Sequence, residues 1–434
     1  MSKWQIDFEK DCKAVKKINE VVSRYVDYPV PCNVKNSDSC RIVLKTDSAM
    51  DGYSIIARDN KIEITAKDEI NLLYAASDFK NKLIPFWKNP SAKASHYFIP
   101  FTDEPPQFEL ITKPKIDKRG IWTWGHVIYD YKKFIDNMVA LRLNTLIIWN
   151  DYVPTNIKEV LNYAHENGVY IYLGFAWGWD QKCAEQIKDL DTMPETIAKK
   201  YEREYSSLDC DGIYFQTFTE LDVEEINGVT IADAAVELVN KTAALIYAQK
   251  PELEILFGLH ATSVSTKLDI IAKKDPRITV MWEDLGSFPY GYVPSVIKDF
   301  EKTLELQRKI REKLGSFTAV LKGVACLDWT TFKHQEGPFV MGECSKEFIL
   351  KKLEEKRDLL RYVQAHWIKN AKYAHEIIKD FSKDDIITVL CEDCVFEEVI
   401  NYPMAIYAQM LWDSDRSTED ILCECALMDE VTFI

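Results

Sequence analysis

The feature that most constrains the fold is an alternation of short apolar runs with amphipathic helical segments, which begins near residue 118. Eight runs have the length and composition of buried β-strands: Gly120–Trp124, Thr145–Trp149, Val169–Phe175, Gly212–Phe218, Ile255–Leu259, Ile278–Trp282, Phe317–Leu327 and Ile386–Cys391. Between the first two runs, Phe134, Ile135, Met138 and Leu141 recur at helical spacing. Strands that alternate with helices in this way predict a (β/α)8 TIM barrel. The alternative is a doubly wound sheet, but Trp122-Thr-Trp124-Gly-His126 stands where that fold would carry a glycine-rich phosphate turn.

The first 112 residues follow another pattern. Two segments with period-two alternation, Tyr53–Ala57 and Ile62–Ala66, flank Asp59-Asn60, and this arrangement predicts a β-hairpin. Glu69–Leu83 has helical spacing, and a proline-containing stretch follows it as a linker would. We therefore expect a small α+β accessory domain over residues 1–112 and the barrel over residues 113–434.

Charge and hydropathy exclude several classes of protein. The net charge is −15, from 54 basic and 69 acidic side chains, and no basic stripe suited to nucleic acid is present. No apolar run approaches the ~18–20 residues that span a bilayer. The start, MSKWQIDFEKDCKAVKK, lacks the apolar segment of a signal peptide, so a cytoplasmic location is expected. The sequence is also compatible with a homodimer.

The chain has 11 cysteines. One cluster, Cys391, Cys394, Cys423 and Cys425, has enough thiols for a zinc site, but a single residue separates the second pair, where zinc sites usually have two to four. Reduced thiols are therefore expected. We expect no metal and no cofactor.

In a barrel of this kind the chemistry lies at the carboxyl ends of the strands. These ends carry many indoles and carboxylates: Trp122, Trp124, Trp149, Asn150, Asp151, Trp177, Glu220, His260, Trp282, Glu283, Asp284, Asp328, Trp329, Glu392 and Asp393. Indoles stack on the apolar faces of sugar rings, while amide, imidazole and carboxylate groups bind the hydroxyls. Cleavage of a glycosidic bond needs a carboxylic acid and a second carboxylate. The pattern predicts a glycoside hydrolase that binds a small oligosaccharide or glycoside.

Parts of the sequence are similar to two families of glycoside hydrolases, the β-N-acetylhexosaminidases (family 20) and the α-glucuronidases (family 67). The accessory domain that precedes their barrels resembles Gly52-Tyr-Ser-Ile, Asp59-Asn-Lys-Ile-Glu-Ile-Thr-Ala and Leu72-Leu-Tyr-Ala-Ala-Ser-Asp-Phe. Their first two barrel strands resemble Lys118-Arg-Gly-Ile and Leu143-Asn-Thr-Leu-Ile-Ile-Trp-Asn. The segment Asp211-Gly-Ile-Tyr-Phe-Gln-Thr-Phe-Thr-Glu220 resembles the α-glucuronidase strand that ends in the general acid.

This resemblance implies an exo-acting, inverting hydrolase with Glu220 as the general acid. It implies that the base is Asp284, its neighbour Glu283, or Asp328. The segment departs from family 67 at Phe218-Thr219, and Thr219 stands where family 20 has the Asp of its Asp-Glu pair. The sugar therefore stays open.

Three other functions compete with this interpretation. A β-N-acetylhexosaminidase-like enzyme would share the scaffold, and a non-catalytic carbohydrate-binding protein would keep the tryptophans without a working carboxylate pair. A sugar isomerase or aldolase would use Lys322 for a Schiff base. Arg119 and Lys322 are the strand-borne cations for a uronic acid substrate.

Overall fold

The computed structural model describes residues 4–26, 40–87, 105–124, 128–150, 152–178, 190–221, 223–226, 228–260, 264–283, 300–315, 317–322, 337–391 and 395–434. The chain separates into two compact units. The first comprises Met1–Lys115, Val139–Arg142 and Ala426–Asp429, and the second comprises Ile116–Met138, Leu143–Cys425 and Glu430–Ile434.

The first unit contains a mixed sheet with the strand order β1-β2-β4-β3-β5. Its elements are β1 (Trp4–Phe8), α1 (Lys13–Val21), β2 (Cys40–Thr46), β3 (Tyr53–Arg58), β4 (Lys61–Ala66), α2 (Glu69–Asp78), α3 (Ile84–Trp87) and β5 (Phe108–Thr112). The predicted hairpin is confirmed: β3 and β4 pair antiparallel, and Asp59 and Asn60 have φ of 49° and 61°, as a tight hairpin turn requires. The predicted helix is also confirmed, since α2 begins after Asp68, whose side chain accepts a hydrogen bond from the Asn71 amide.

The first unit also holds a buried ion pair. Arg142 Nη1 lies 2.9 Å from Asp78 Oδ2, and the Tyr53 hydroxyl donates to the same oxygen at 2.6 Å. Burial alone would raise the pKa of Asp78, but the charges of Arg142 and Lys82 and the Tyr53 hydrogen bond lower it overall. The carboxylate is therefore ionised and satisfied inside the unit.

The second unit contains the closed barrel that the sequence predicts. Its strands are β6 (Lys118–Trp124), β7 (Thr145–Trp149), β8 (Tyr170–Gly174), β9 (Gly212–Gln216), the short hairpin β10 (Glu225–Ile226) and β11 (Val229–Thr230), β12 (Glu254–Leu259), β13 (Ile278–Trp282), β14 (Phe317–Leu321), β15 (Ile386–Leu390), and the short pair β16 (Ile400–Asn401) and β17 (Val431–Thr432). The barrel order is β12-β13-β14-β15-β6-β7-β8-β9, and neighbouring strands run parallel. All eight predicted strands are confirmed, although β14 ends at Leu321 instead of Leu327.

Helices join the strands. They are α4 (Tyr131–Ala140), α5 (Ile157–Glu166), α6 (Met193–Glu204), α7 (Ile231–Tyr247), α8 (Leu268–Ile271), α9 (Phe300–Leu314), α10 (Lys346–Lys379), α11 (Tyr402–Trp412) and α12 (Thr418–Ala426). Within the described ranges, no helix is both long enough and apolar enough to cross a bilayer.

Inward-facing side chains fill the barrel. They form one buried cluster: Trp122, Ile147, Trp149, Tyr172, Tyr214, Leu256, Met281, Val320, Ile386 and Leu390. At the amino-terminal end, Lys118 Nζ lies 2.5 Å from Glu254 Oε2, and the Tyr172 hydroxyl donates to that oxygen at 2.7 Å. Three inward polar groups thus satisfy one another at the end of the barrel where catalysis is not expected.

Candidate active site

Glu283 lies at the carboxyl end of the barrel, directly after β13, and its side chain is only 1% exposed. Alternate residues of a strand share a face, so Glu283 points inward as Met281 of the barrel cluster does. Its amide donates to the Leu259 carbonyl at 3.1 Å and so extends the pairing of β12 with β13. The barrel register therefore places one carboxylate at the floor of its mouth.

Donors from two neighbouring strands surround this carboxylate. The Tyr214 hydroxyl donates to Oε1, and the Gln216 side-chain amide donates to Oε2. Tyr214 and Gln216 both lie on β9 and face inward. His260, which follows β12, places Nε2 2.7 Å from Oε2. Both oxygens of Glu283 therefore act as acceptors, which favours the ionised carboxylate.

Aromatic rings stand beside this group. The ring centroids of Trp122 and Trp149 lie 5.8 and 5.3 Å from that of Tyr214, both in edge-to-face contact. In the described part of the chain, Trp122 Nε1 and Asn150 Nδ2 are buried without a hydrogen-bond partner. Buried donors of this kind usually find an acceptor in folded proteins, so both are candidates to bind a water or a ligand oxygen. The floor of the mouth thus combines two buried indole rings, one of them with a donor that is unpaired among the described residues, and one anion.

The structure places two of the predicted binding residues elsewhere. The Trp177 ring stacks on Phe215 with centroids 3.8 Å apart, and Phe215 stacks on Phe257. Phe215 and Phe257 alternate with the inward residues of β9 and β12, so this stack faces the helical layer. Trp282 lies between Met281 and Glu283 and faces outward by the same alternation. Neither indole is brought to Glu283.

For two other predicted residues the structure describes only the backbone. Trp124 ends β6, and Glu220 ends a 3-10 turn, Phe218–Glu220, that follows β9 directly, but both side chains lie outside the described part. Outside the described residues lie Asp151, Asp284, Asp328, Trp329, Glu392 and Asp393.

Sequence reasoning missed Tyr214 and Gln216. Both lie within a strand, whereas the predicted polar residues of the site all follow strands. A polar glutamine at an inward position of an otherwise apolar run was the available signal, because such a group needs a buried partner. The hydroxyl of Tyr214 carried no such signal, since tyrosine is common in barrel cores.

The cysteine expectation needs one correction. Cys391, which directly follows β15, is disulfide-bonded, so the reduced-thiol prediction is wrong there. Cys423 and Cys425 form no disulfide bond. Among the residues that the structure describes, no group of three or more His, Cys, Asp or Glu side chains is arranged to hold a metal ion.

Neither a protein-family model nor a curated protein sequence matches the chain. Several solved structures do match the chain. A β-N-acetylhexosaminidase from Bacteroides fragilis NCTC 9343 has a TM-score of 0.51 at 12% identity, over 95% of this chain and 87% of that one. A family 20 enzyme from Streptomyces coelicolor A3(2) has a TM-score of 0.53 at 9% identity, over 99% and 92%. An exo-β-N-acetylglucosaminidase from Vibrio harveyi, solved with N-acetylglucosamine, has a TM-score of 0.52 at 12% identity, over 99% and 74%. This chain has the fold of family 20 glycoside hydrolases.

Proposed function

We propose that this protein is an exo-acting glycoside hydrolase that cleaves a terminal sugar from a small oligosaccharide or glycoside. The observation that carries the proposal is the buried Glu283 carboxylate, held by Tyr214, Gln216 and His260 at the carboxyl end of the barrel. The shared fold with the family 20 enzymes supports it, because active sites of such barrels lie at this end.

Glu283 is suited to act as an anion. As a glycosidic bond breaks, positive charge develops at the anomeric carbon, and a fixed carboxylate in a poorly hydrated site stabilises that charge. Three donors hold the two oxygens, so little reorganisation is needed during the reaction. Glu283 thus takes the role of the carboxylate that stabilises the developing charge, and Asp284 and Asp328 are the candidates for the base that activates water.

Glu220 takes the role of the general acid. Its backbone follows β9, and β12 alone separates β9 from β13, the strand that delivers Glu283. A proton from Glu220 would pass to the glycosidic oxygen as the bond breaks. The resemblance to family 67 implies inversion, which proton NMR of the first-formed anomer would test.

The sugar would lie against the inward indoles. Trp122 and Trp149 offer apolar faces, and the free donors Trp122 Nε1 and Asn150 Nδ2 would bind acceptor oxygens of the sugar. Trp124, Asp151, Trp329, Glu392 and Asp393 belong to the proposed pocket on sequence grounds alone.

Activity toward a panel of aryl glycosides tests the proposal: hexosaminides, glucuronides and neutral hexosides. Glu283→Gln and Glu220→Gln should each lower kcat by about 10²–10⁴-fold on the substrate that is cleaved. Glu254→Gln is the matched control, because it alters an inward carboxylate at the opposite end of the barrel. Wild-type turnover by the Glu283 variant would overturn the proposal.

A carbohydrate-binding protein without catalysis is the second candidate. It is favoured by the full hydrogen-bonding of Glu283, which leaves neither oxygen without a donor. Calorimetric sugar binding without turnover of any glycoside would support this candidate.

A further inference from the structure

Glu397 is a buried carboxylate outside the group around Glu283. Its side chain is 3% exposed, and Oε1 accepts a hydrogen bond from the backbone amide of Tyr129 at 2.6 Å. Tyr129 lies in the connection from β6 to α4, while Glu397 lies between β15 and α11. The bond therefore joins the connections that follow the first and the last strand of the barrel.

Further contacts tie these connections together. The Asn137 side-chain amide donates to the Phe396 carbonyl at 2.7 Å. The Cys344 amide donates to the Tyr129 carbonyl at 3.0 Å, and Asp130 pairs with Glu343 in an isolated antiparallel bridge. Three segments thus meet around Glu397, at the barrel end that carries Glu283.

The charges around Glu397 oppose its ionisation. Asp130 is buried beside it, and that carboxylate is paired with Lys133 at 3.6 Å. The charge of Glu397 and burial both raise the pKa of the partially buried Cys344 thiol, burial more strongly.

The remaining charges of these segments are paired with one another. Glu343 pairs with Lys132, and Glu398 pairs with Lys346 at 3.3 Å. Among the described residues, no lysine, arginine or histidine forms an ion pair with Glu397. Burial, with a smaller contribution from Asp130, raises the pKa of Glu397 to about 7 despite its backbone hydrogen bonds.

We propose that Glu397 is a positioning residue: its carboxyl holds the connection after β15 against the start of α4, and because this carboxyl is buried beside Asp130 without a cation paired to it among the described residues, its ionisation favours separation of the two connections. Its effect on activity rests on the proposed function, because the two connections follow strands at the barrel end that carries Glu283. The contact itself does not depend on which reaction the mouth supports.

The direction in which stability changes with pH follows from the difference in the pKa of Glu397 between the folded and the unfolded protein. A carboxyl that is harder to ionise in the folded protein contributes stability at low pH, and this contribution is lost as the pH rises from the ordinary glutamate value toward 7. We therefore expect the Tm of the wild type, relative to that of Glu397→Gln, to fall by a few degrees between about pH 5 and pH 8.

Two further variants distinguish this pH dependence from a non-specific loss of stability. Asp130→Asn keeps a side chain that can cap α4 and removes the like charge, which lowers the pKa of Glu397, so the fall in Tm should be smaller and should end at lower pH. Glu398→Gln removes the adjacent carboxylate, which pairs with Lys346, and should leave the pH dependence unchanged. Hydrogen exchange at the Tyr129 amide should accelerate in the wild type over the same pH range and show no such extra increase in Glu397→Gln.

Kinetics supply the functional test. On any glycoside that the protein cleaves, the KM of the wild type should rise as Glu397 ionises, whereas the KM of Glu397→Gln should show no such inflection. If Tm curves of the two proteins run parallel across the pH range, the inference is wrong. If they diverge but no glycoside is cleaved, the positioning role stands and the proposed function fails.

Discussion

A Cβ atom at position 258 would lie 2.1 Å from Oε1 of Glu283, so the carboxylate occupies space that only Gly258 leaves open. The same atom would lie 2.3 Å from the Tyr214 hydroxyl. Gly258 is an inward position of β12, between the strands that carry Tyr214 and Glu283. The absence of a side chain there permits the hydrogen bond between these two residues.

Gly258→Ala should therefore displace the Glu283 carboxylate. Misplacement of a catalytic group by about 1 Å lowers rates by about 10²-fold, and we expect a loss of kcat of that order. Gly342→Ala is the matched control, since a Cβ there meets nothing within 4 Å. Kinetics and Tm are measured for both variants, and unchanged kcat in Gly258→Ala would contradict the prediction.

Tyr214→Phe should impair activity more than stability. It keeps the ring between the indoles and removes the hydroxyl that donates to Glu283 Oε1. A hydrogen bond to a charged group contributes about 1.5–3 kcal/mol, so kcat/KM should fall about 10–100-fold. Tyr172→Phe, which alters the opposite end of the barrel, should leave kcat/KM near the wild-type value. Equal losses in the two variants would show that Tyr214 is a packing residue.

Trp149 and Trp177 should behave differently although both are fully buried tryptophans. Trp149→Phe removes an indole from the inward face beside Tyr214, so we expect weaker sugar binding, seen as a several-fold rise in KM or Kd. Trp177→Phe alters the outward stack on Phe215 and should lower Tm with little change in KM. Calorimetric titration with the sugar compares the two, and a greater effect of Trp177→Phe would reverse the assignment of faces.

The Asp78–Arg142 pair should govern the acid stability of the first unit. The pKa of Asp78 is lowered in the folded protein, so its contribution is present above the ordinary aspartate value and is lost as the pH falls below it. Asp78→Asn leaves Arg142 without its buried counter-charge, and such a loss costs about 3–5 kcal/mol. Urea unfolding from pH 3 to pH 7 should show the largest difference between the variant and the wild type at about pH 7.

The architecture was predictable because the barrel strands are short, largely apolar runs that alternate with amphipathic helices. Runs such as Thr145–Trp149 are buried on both faces, and no alternative element suits them. Whether a side chain beyond a strand end points into the barrel or toward the helices was not predictable in the same way. Trp177 and Trp149 both stand at strand ends, and only the register of each strand decides which indole turns inward.

The sequence indicated Glu283 as a candidate carboxylate, but it did not indicate which residues would surround it. Glu283 was a candidate because it follows a strand. That Gln216, Tyr214 and His260 would converge on it depends on the stagger between β9, β12 and β13, which is a property of barrel closure. Glu397 carried no sequence signal, since its burial arises from three segments distant along the chain.

The polar group of Lys118, Tyr172 and Glu254 bears on the route by which a compound can reach Glu283. It occupies the amino-terminal end of the barrel, and the aromatic cluster fills the interior above it. Within the described part of the chain this filled interior closes the amino-terminal side of Glu283, so a compound bound there would enter and leave at the carboxyl end of the strands. In a hydrolase of the proposed kind, the product would then have to depart before the next substrate could bind.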